Sequence, residues 1–406
     1  IYTLSLHDAL PIFGAIMNDV YVVSACRTPI GDFMGSLSPV TDVELGTIVA
    51  KEAIERAGIK PEDVEEVTCG LVYKGGSKGN PARQIEYAIG AKPSSYACTI
   101  DQLCGSAMRA TEILAHQIML GKTGIGIAVG AESMSNAAYI LNKARTIRMG
   151  DVKLVDALTY DGLNCAICDY HMGITAENLA EEFNISREEQ DELAVMSQNR
   201  AAQAIEDGKF ADEVVPVTIK SRKGDKVIDR DEHPRFTTME NLAKLRPAFK
   251  KDGHVTAGNA SGINDGAAAM VLASGEKVKE LGLKPMAKLV AICSAGVEAE
   301  RMGFGPAVAI PKVLEEAGLK KEDIGYWEIN EAFAAQYIAC EKSLGISRDI
   351  VNANGSGIAI GHPVGCTGIR IQVSLFYECK RRGVKYGGAS LCVGGGPAMA
   401  VIWEIL

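Results

Sequence analysis

From Asp19 onward, short apolar runs rich in β-branched residues alternate with segments of helical period, as in DVYVVSACR, then VELGTIVAKEAIERAG, then VEEVTCGLV. Such alternation predicts strands and helices in succession, and therefore a layered α/β fold. The pattern also recurs: AIERAGIKPEDVEEV at 53–67 returns as VLEEAGLKKEDIGYW at 313–327. Each copy reads as a helix stopped by glycine, a short turn and a strand. GIGIAVGAESM from Gly124 likewise has a counterpart in GGASLCVGGGPAM from Gly387. The expectation is a duplicated α/β unit.

Between the copies, roughly residues 132–255 break the pattern. ISREEQDELAVMSQNRAAQAIEDG predicts a long amphipathic helix, and SRKGDKVIDRDEHPR predicts a charged loop. This stretch reads as an insertion in the first copy. From Lys220 to Lys251 basic residues outnumber acidic ones, against the trend of the chain. A solvated loop and a phosphate-binding surface both explain that excess.

Composition narrows the classes. The 406 residues exceed the roughly 250–300 that a single core supports, so two core-forming units or one doubled domain are expected. A net charge of −9 argues against general nucleic-acid binding, which needs an excess of Lys and Arg. With 47% hydrophobic and 23% charged residues, and no apolar run long enough to span a bilayer, the chain reads as soluble, without a membrane partner. Eleven cysteines, odd in number and scattered in apolar stretches, point to a reducing, intracellular compartment rather than a disulfide framework. Cys165 and Cys168 form a lone Cys-x-x-Cys, for which packing is favoured over zinc. The opening IYTLSLHDALPI has neither the basic start nor the cleavage site of a signal peptide. Its run YTLSLHDALPI resembles an in-frame translated sequencing adapter, so 1–16 are expected to be a non-native extension before Met17. A cytoplasmic location follows from the lack of a convincing targeting segment.

Candidate chemistry sits where small residues crowd reactive ones. In CTIDQLCGSAMRATEILAHQIMLG a strand turns at Cys104 into a helix, and a thiol at a helix N-terminus is expected to have a lowered pKa. Core filling is the bland alternative. In VNANGSGIAIGHPVGCTGIR, His362 lies among glycines at a second strand-to-helix junction, suited to a base for a thiol but equally to a capping role. Cys366 occupies the place of Cys104 in the duplicate and is the rival nucleophile. In ASLCVGGGPAMA, Cys392 precedes Gly394, Gly395 and Gly396, whose N–H groups could approach a ligand as an oxyanion hole requires, or make a tight core turn. In WEINEAFAAQYIA, Asn330 and Glu331 interrupt an apolar passage, so each needs a structural or catalytic partner.

Together, SACRTPIG at 24–31, NPARQ at 80–84, the Cys104 segment, ESMS at 132–135, HMGITAEN at 171–178, TAGNASGINDGAA at 256–268, NEAFAAQ at 330–336, GHPVGCTG at 361–368 and CVGGG at 392–396 resemble the thiolase family, from Met17 to Leu406. The resemblance implies a duplicated five-layered α/β/α/β/α fold with an inserted loop domain. Residues 17–131 with 256–284 would form the first half, 132–255 the loop domain and 285–406 the second half. It also implies ping-pong acyl transfer: His362 takes the proton of Cys104, which is acylated as CoA leaves, and Cys392 draws the α-proton of a second acetyl-CoA. Two oxyanion holes map onto His362 with a water held by Asn330, and onto the N–H groups of Cys104 and Gly394.

The same resemblance places CoA on His171, Arg235 (near the adenine) and Ser261 (near the pantetheine), and shapes the acyl pocket with Met172, Leu163 and Phe333. No metal or redox cofactor is implied. The segment from Ala137 to Leu163 resembles the loop of tetrameric short-chain biosynthetic thiolases. The implied reaction is therefore acetyl-CoA to acetoacetyl-CoA plus CoA, or its reverse, in a homo-oligomer, with a place in fatty-acid metabolism. Another acyl chain length, a decarboxylating ketosynthase and a non-catalytic acyl-CoA or lipid binder are the alternatives. Where the family writes Asn-x-x-Cys-x-Ser-Gly, this chain has Asp101, Cys104, Ser106 and Ala107. Asp101 is expected to raise the thiol pKa, and Ala107 to narrow the pocket or shift the helix.

Overall fold

The fold is that of a computed structural model, which describes residues 17–222 and 224–406; the extension expected at 1–16 lies outside the described residues. Five strands, β1 (Val20–Arg27), β2 (Glu66–Gly70), β3 (Tyr96–Ile100), β4 (Ile125–Ser133) and β5 (Asn264–Ser274), form the first half. Four more, β6 (Ala287–Gly296), β7 (Tyr326–Ile329), β8 (Tyr386–Cys392) and β9 (Pro397–Ile405), form the second. They pair in the order β7-β8-β9-β6-β1-β5-β4-β2-β3.

The duplication is visible in the pairing. β1 runs antiparallel to β5, β5 antiparallel to β4, and β4 parallel to β2. β6, β9, β8 and β7 repeat those three relationships in the same order. β2 also pairs in parallel with β3, and a single bridge from Trp327 to Val351 takes that place in the second half. The repeated sequence folds as expected: both helices stop at a glycine in the left-handed region, Gly58 at φ 68° and Gly318 at φ 64°, where a side chain would be strained.

The longer helices are, in chain order, α1 (Asp42–Ala57), α2 (Pro81–Ile89), α3 (Ser106–Met119), α4 (Met172–Glu182), α5 (Arg187–Glu206), α6 (Gly305–Ala317), α7 (Ala334–Leu344) and α8 (Thr367–Arg382). Successive strand residues point to opposite faces. Ile127 and Val271 therefore pack with Val49, Ile54 and Ile85 on the outer face of the first half, while their neighbours Ala128 and Met270 pack with Met108 of α3 and Ile369 of α8. In the second half Val401 joins that middle core and Ile402 joins the outer one, with Ile310 and Ile338. The layers run helix, sheet, helix, sheet, helix, with α3 and α8 in the middle. Strands buried on both faces read as continuous apolar runs, as GAAAMVLA of β5 does.

The chain leaves the sheet after β4 and returns as β5. Between them lie a π-helical turn at Leu158–Leu163, α4 and α5. The predicted amphipathic helix is α5, opened by a capping box of Ser186 and Glu189. The charged run expected to be a loop instead forms part of a hairpin, Val217–Ile219 against Lys226–Ile228, because Val217 and Ile228 can both be buried on the first core. Fully buried Arg27 clamps this region to β1, with Nε 2.7 Å from Glu213 and the guanidinium fork 2.6 and 2.9 Å from Asp231. Among the described residues, no helix is long and apolar enough to cross a membrane.

Candidate active site

β3 ends at Ile100, and the chain makes a tight turn before α3 begins at Ser106. Leu103 takes a left-handed φ of 47°, an uncommon conformation for a branched residue. Ser106 holds the turn: its Oγ donates to the Leu103 carbonyl at 2.6 Å and accepts from the Gln102 N–H at 2.9 Å. Cys104, 8% exposed, is thereby set at the wall of a cavity of about 550 Å³ that His362 and Cys392 also line.

The Cys104 turn does not behave as a helix N-terminus alone would suggest. Burial pushes its thiol up to about 11, helped by the Glu132 charge, while the N–H groups of Gly394 and of Cys104 itself pull it down. Desolvation wins because the sulfur is cut off from water. Asp101 is exposed, and its carboxylate accepts the Leu103 N–H at 3.0 Å. The carboxylate that raises the thiol pKa is therefore Glu132, not Asp101. Ala107 does not narrow the pocket, one of the two effects expected of it. It is fully buried against the sheet, where a Cβ placed on Gly130 would lie 2.7 Å from its methyl, and it does not line the cavity.

His362 rides on a turn built by Asn264, whose Oδ1 accepts the His362 N–H at 2.9 Å and whose Nδ2 donates to the Gly31 carbonyl at 3.0 Å. Gly361, at φ 109°, lets Asn264 come this close. The imidazole Nδ1 lies 2.6 Å from Thr367 Oγ1, whose own proton goes to the Pro363 carbonyl at 2.9 Å. Thr367 must then accept from Nδ1–H, which leaves Nε2 as the basic nitrogen. Burial, with the Arg370 charge, holds the imidazole down at about 3.

Cys392 closes β8 and is fully buried. Burial and the neighbouring Cys104 push its thiol well up. The glycines after it form the turn into β9, with Gly395 and Gly396 at positive φ. Gly394 is tightly covered, since a Cβ there would lie 2.2 Å from Met172 Cε. Cys366, the rival nucleophile, is sealed in the middle layer: it lines no part of the cavity, and its Cα lies 2.9 Å from where a Gly130 Cβ would be.

Leu163, His171, Met172, Arg235, Ser261 and Phe333 all line the same cavity. His171 Nδ1 accepts from the Gly173 N–H at 3.0 Å, which fixes its proton on Nε2, and its ring stacks on Phe249 at 4.5 Å. Of the basic run, Arg235 reaches the cavity, whereas Lys226 and Lys250 turn to Ser36 and Glu181. Cys168 donates its N–H to the buried Cys165 sulfur at 3.4 Å, a packing arrangement. Asn330 and Glu331 divide their roles. Glu331 accepts from Ser197 at 2.6 Å and Asn352 at 3.0 Å, and so ties α5 to the second half. Asn330 is fully buried and is not among the residues that line the cavity, and neither its Oδ1 nor its Nδ2 has a partner among the described residues, which leaves a buried donor and acceptor open. Sequence reasoning did not single out Asn264, Thr367 or Glu132, although each lies in or beside a quoted motif as a polar residue among apolar ones.

Comparison with known proteins agrees with this geometry. The thiolase N-terminal domain model matches residues 20–276 and the C-terminal domain model residues 283–405. An acetyl-CoA acetyltransferase of Syntrophomonas wolfei is 51% identical over 393 residues, covering 96% of this chain and 99% of that protein. A solved structure of acetyl-CoA acetyltransferase from the same organism superposes with a TM-score of 0.95 at 52% identity, over 96% of this chain and 100% of the other. Human mitochondrial 3-ketoacyl-CoA thiolase superposes with a TM-score of 0.93 at 40% identity, again over 96% and 100%. The family shared by both domain models and these relatives is also the one the motifs, layers and cavity point to, and this chain belongs to the thiolase family.

Proposed function

We propose that this thiolase joins two acetyl-CoA molecules into acetoacetyl-CoA and CoA, or runs the reverse thiolysis, through an acyl group on Cys104. The observation that carries the reading is the convergence of Cys104, His362 and Cys392 on one cavity with the six residues assigned to substrate. His362 Nε2 takes the thiol proton, sulfur attacks the acyl carbonyl, and CoA leaves after receiving that proton. In the second half-reaction Cys392 passes its thiol proton to His362 and, as the thiolate, removes the α-proton of acetyl-CoA; the carbanion attacks acyl-Cys104, the Cys104–acyl bond breaks, and the departing Cys104 sulfur takes the proton from His362. The developing oxyanions are held by the N–H groups of Cys104 and Gly394, and by His362 with a water on Asn330. With the thiol near 11 and the imidazole near 3 in the free protein, the resting pair is neutral. Proton transfer accompanies attack, and no thiolate stands ready beforehand.

His171, Arg235 and Ser261 take the CoA moiety, while Leu163, Met172 and Phe333 bound the acyl group; CoA thioesters are substrates, and no further cofactor enters. A division into 17–131 with 256–284, 132–255 and 285–406 is supported by the two sheet halves and by the excursion between β4 and β5, although Glu132 and Ser133 still belong to β4. A homotetramer is supported by the arm from Tyr139 to Leu154, which exposes Ile147, Met149 (96% exposed), Val152 and Leu154, more apolar surface than a lone arm normally shows. We place the enzyme in the cytoplasm and in short-chain acyl metabolism. The test is a thiolysis series with acetoacetyl-CoA and longer 3-ketoacyl-CoAs. The highest kcat/KM should fall on acetoacetyl-CoA, and a preference of about 10-fold or more for a six-carbon or longer substrate would reassign the chain length.

A further inference from the structure

We propose that Glu132 is a positioning residue of the acyl-transfer site: from one buried carboxylate it holds both the turn that carries His362 and the segment that braces the Leu163 wall of the cavity. The proposal rests on the reading given under Proposed function.

Glu132 lies near the end of β4 and is completely buried. Three backbone N–H groups converge on it. Val72 donates to Oε2 at 3.1 Å, Tyr73 to Oε1 at 3.1 Å, and Gly365 to Oε2 at 2.8 Å. Gly365 belongs to the turn between His362 and α8, and that turn closes onto the carboxylate with nothing in between. A Cβ at Gly365 would lie 2.4 Å from Oε2 and 2.9 Å from the Leu71 Cα.

Tyr73 extends the hold to a second part of the cavity wall. Its hydroxyl donates to the Leu158 carbonyl at 2.8 Å. Its ring lies so tightly on Gly162 that a Cβ there would be 1.9 Å from the phenol oxygen. Gly162 and Leu163 end the π-helical turn and line the cavity. One carboxylate thus holds both the turn of the base and the segment behind the Leu163 wall.

Chemistry makes a carboxylate specific here. Two oxygens carry enough lone pairs for three donors, whereas a glutamine has one oxygen and would turn its NH₂ toward an N–H. Burial pushes the Glu132 carboxyl up to about 8 against the pull of its three N–H donors; the Cys104 thiol titrates above that, near 11, where the Glu132 charge is in place and raises it further. Replacing Glu132 by glutamine therefore has two separable effects. It loosens the His362 turn, which slows acylation, and it removes a negative charge, which eases ionisation of the thiol. Because unfolding would also expose the thiol and ease its ionisation, this signature is read on protein whose near-ultraviolet circular dichroism and urea midpoint match those of the parent chain.

The experiment compares the full chain with its E132Q and Y73F variants. It reads the single-turnover rate of Cys104 acetylation by acetyl-CoA, the KM, and the pH dependence of Cys104 alkylation by iodoacetamide. E132Q is expected to acetylate about 10- to 100-fold more slowly, the scale of a small misplacement of reacting groups, with KM changed by less than about 3-fold and the alkylation midpoint moved to lower pH. Y73F keeps the three N–H contacts. It is expected to leave the alkylation midpoint in place while changing the ratio of butyryl to acetyl transfer by about 3-fold or more. E132Q acetylating at the parent rate overturns the proposal, as does an alkylation midpoint that stays where it was. If E132Q does not fold, an unchanged acyl ratio in Y73F overturns it instead. A parent chain that takes no acetyl group at all overturns the functional reading, and this proposal with it.

Discussion

Thr367 decides which nitrogen of His362 is the base. Its hydroxyl gives its one proton to the Pro363 carbonyl and so can only accept from Nδ1, 2.6 Å away. Nε2 is left with its lone pair, in a ring that burial keeps neutral. Thr367→Val keeps the shape and loses the acceptor. The acetylation rate should fall by about 10- to 100-fold as the tautomer and ring orientation are freed, with little change in KM. A stopped-flow single-turnover assay checks this, and an unchanged rate would contradict the assignment of Nε2.

The depressed pKa of His362 carries a sign. The folded value is near 3 against an ordinary 6.5, so below pH 6.5 the unfolded chain binds a proton that the folded chain refuses. The stability contribution is present above 6.5 and is lost as pH falls toward 3. For activity the same shift means that the base stays neutral in mildly acidic solution. The kcat/KM of the parent chain should show no break near 6.5 between pH 5 and 8, and a single-proton acid limb centred there would refute a buried neutral imidazole.

Asp101→Asn should leave the pH profile of Cys104 alkylation unchanged. The side chain is exposed and occupied with the Leu103 N–H, and asparagine's oxygen can accept the same bond. A midpoint displaced by a full pH unit would restore Asp101 as an electrostatic partner of the thiol.

Arg27→Met tests the clamp between β1 and the excursion from the sheet. Removing the guanidinium takes from Glu213 and Asp231 the counter-charge bonded to both at a fully buried site, with Arg381 and Arg370 acting on Glu213 only from beyond ion-pair distance. Breaking such a pair costs about 3–5 kcal/mol. Urea denaturation of parent and variant measures it, and a loss below about 1 kcal/mol would show that the ion pair is not what holds the region.

Much of this molecule was legible in the residues. The repeat at 53–67 and 313–327 predicted two copies of one unit, and the strand pairings reproduce it, because helix stops and apolar runs are local signals. The hairpin at Val217–Ile219 and Lys226–Ile228 was not legible, since its pairing depends on a core contributed by distant strands. Within the cavity, Cys104, His362 and Cys392 stood out through the glycines around them. Their protonation states did not. A helix N-terminus suggests a lowered thiol pKa, but burial, which belongs to the tertiary fold, outweighs it. Glu132 and Asn264 act through backbone N–H groups of residues far away in sequence, and no spacing rule reveals such contacts. Sequence distance alone makes Asp101 and Ala107 neighbours of the thiol, yet one faces solvent and the other faces Gly130.

Cys104 carries the acyl group in this mechanism, and intact-protein mass spectrometry after brief exposure to acetyl-CoA, followed by peptide mapping, shows whether it does. The expected result is one acetyl adduct on the Cys104 peptide of the parent chain and none on Cys104→Ser. A stoichiometric adduct that persists in Cys104→Ser, or that maps to Cys392 or Cys366, would contradict it.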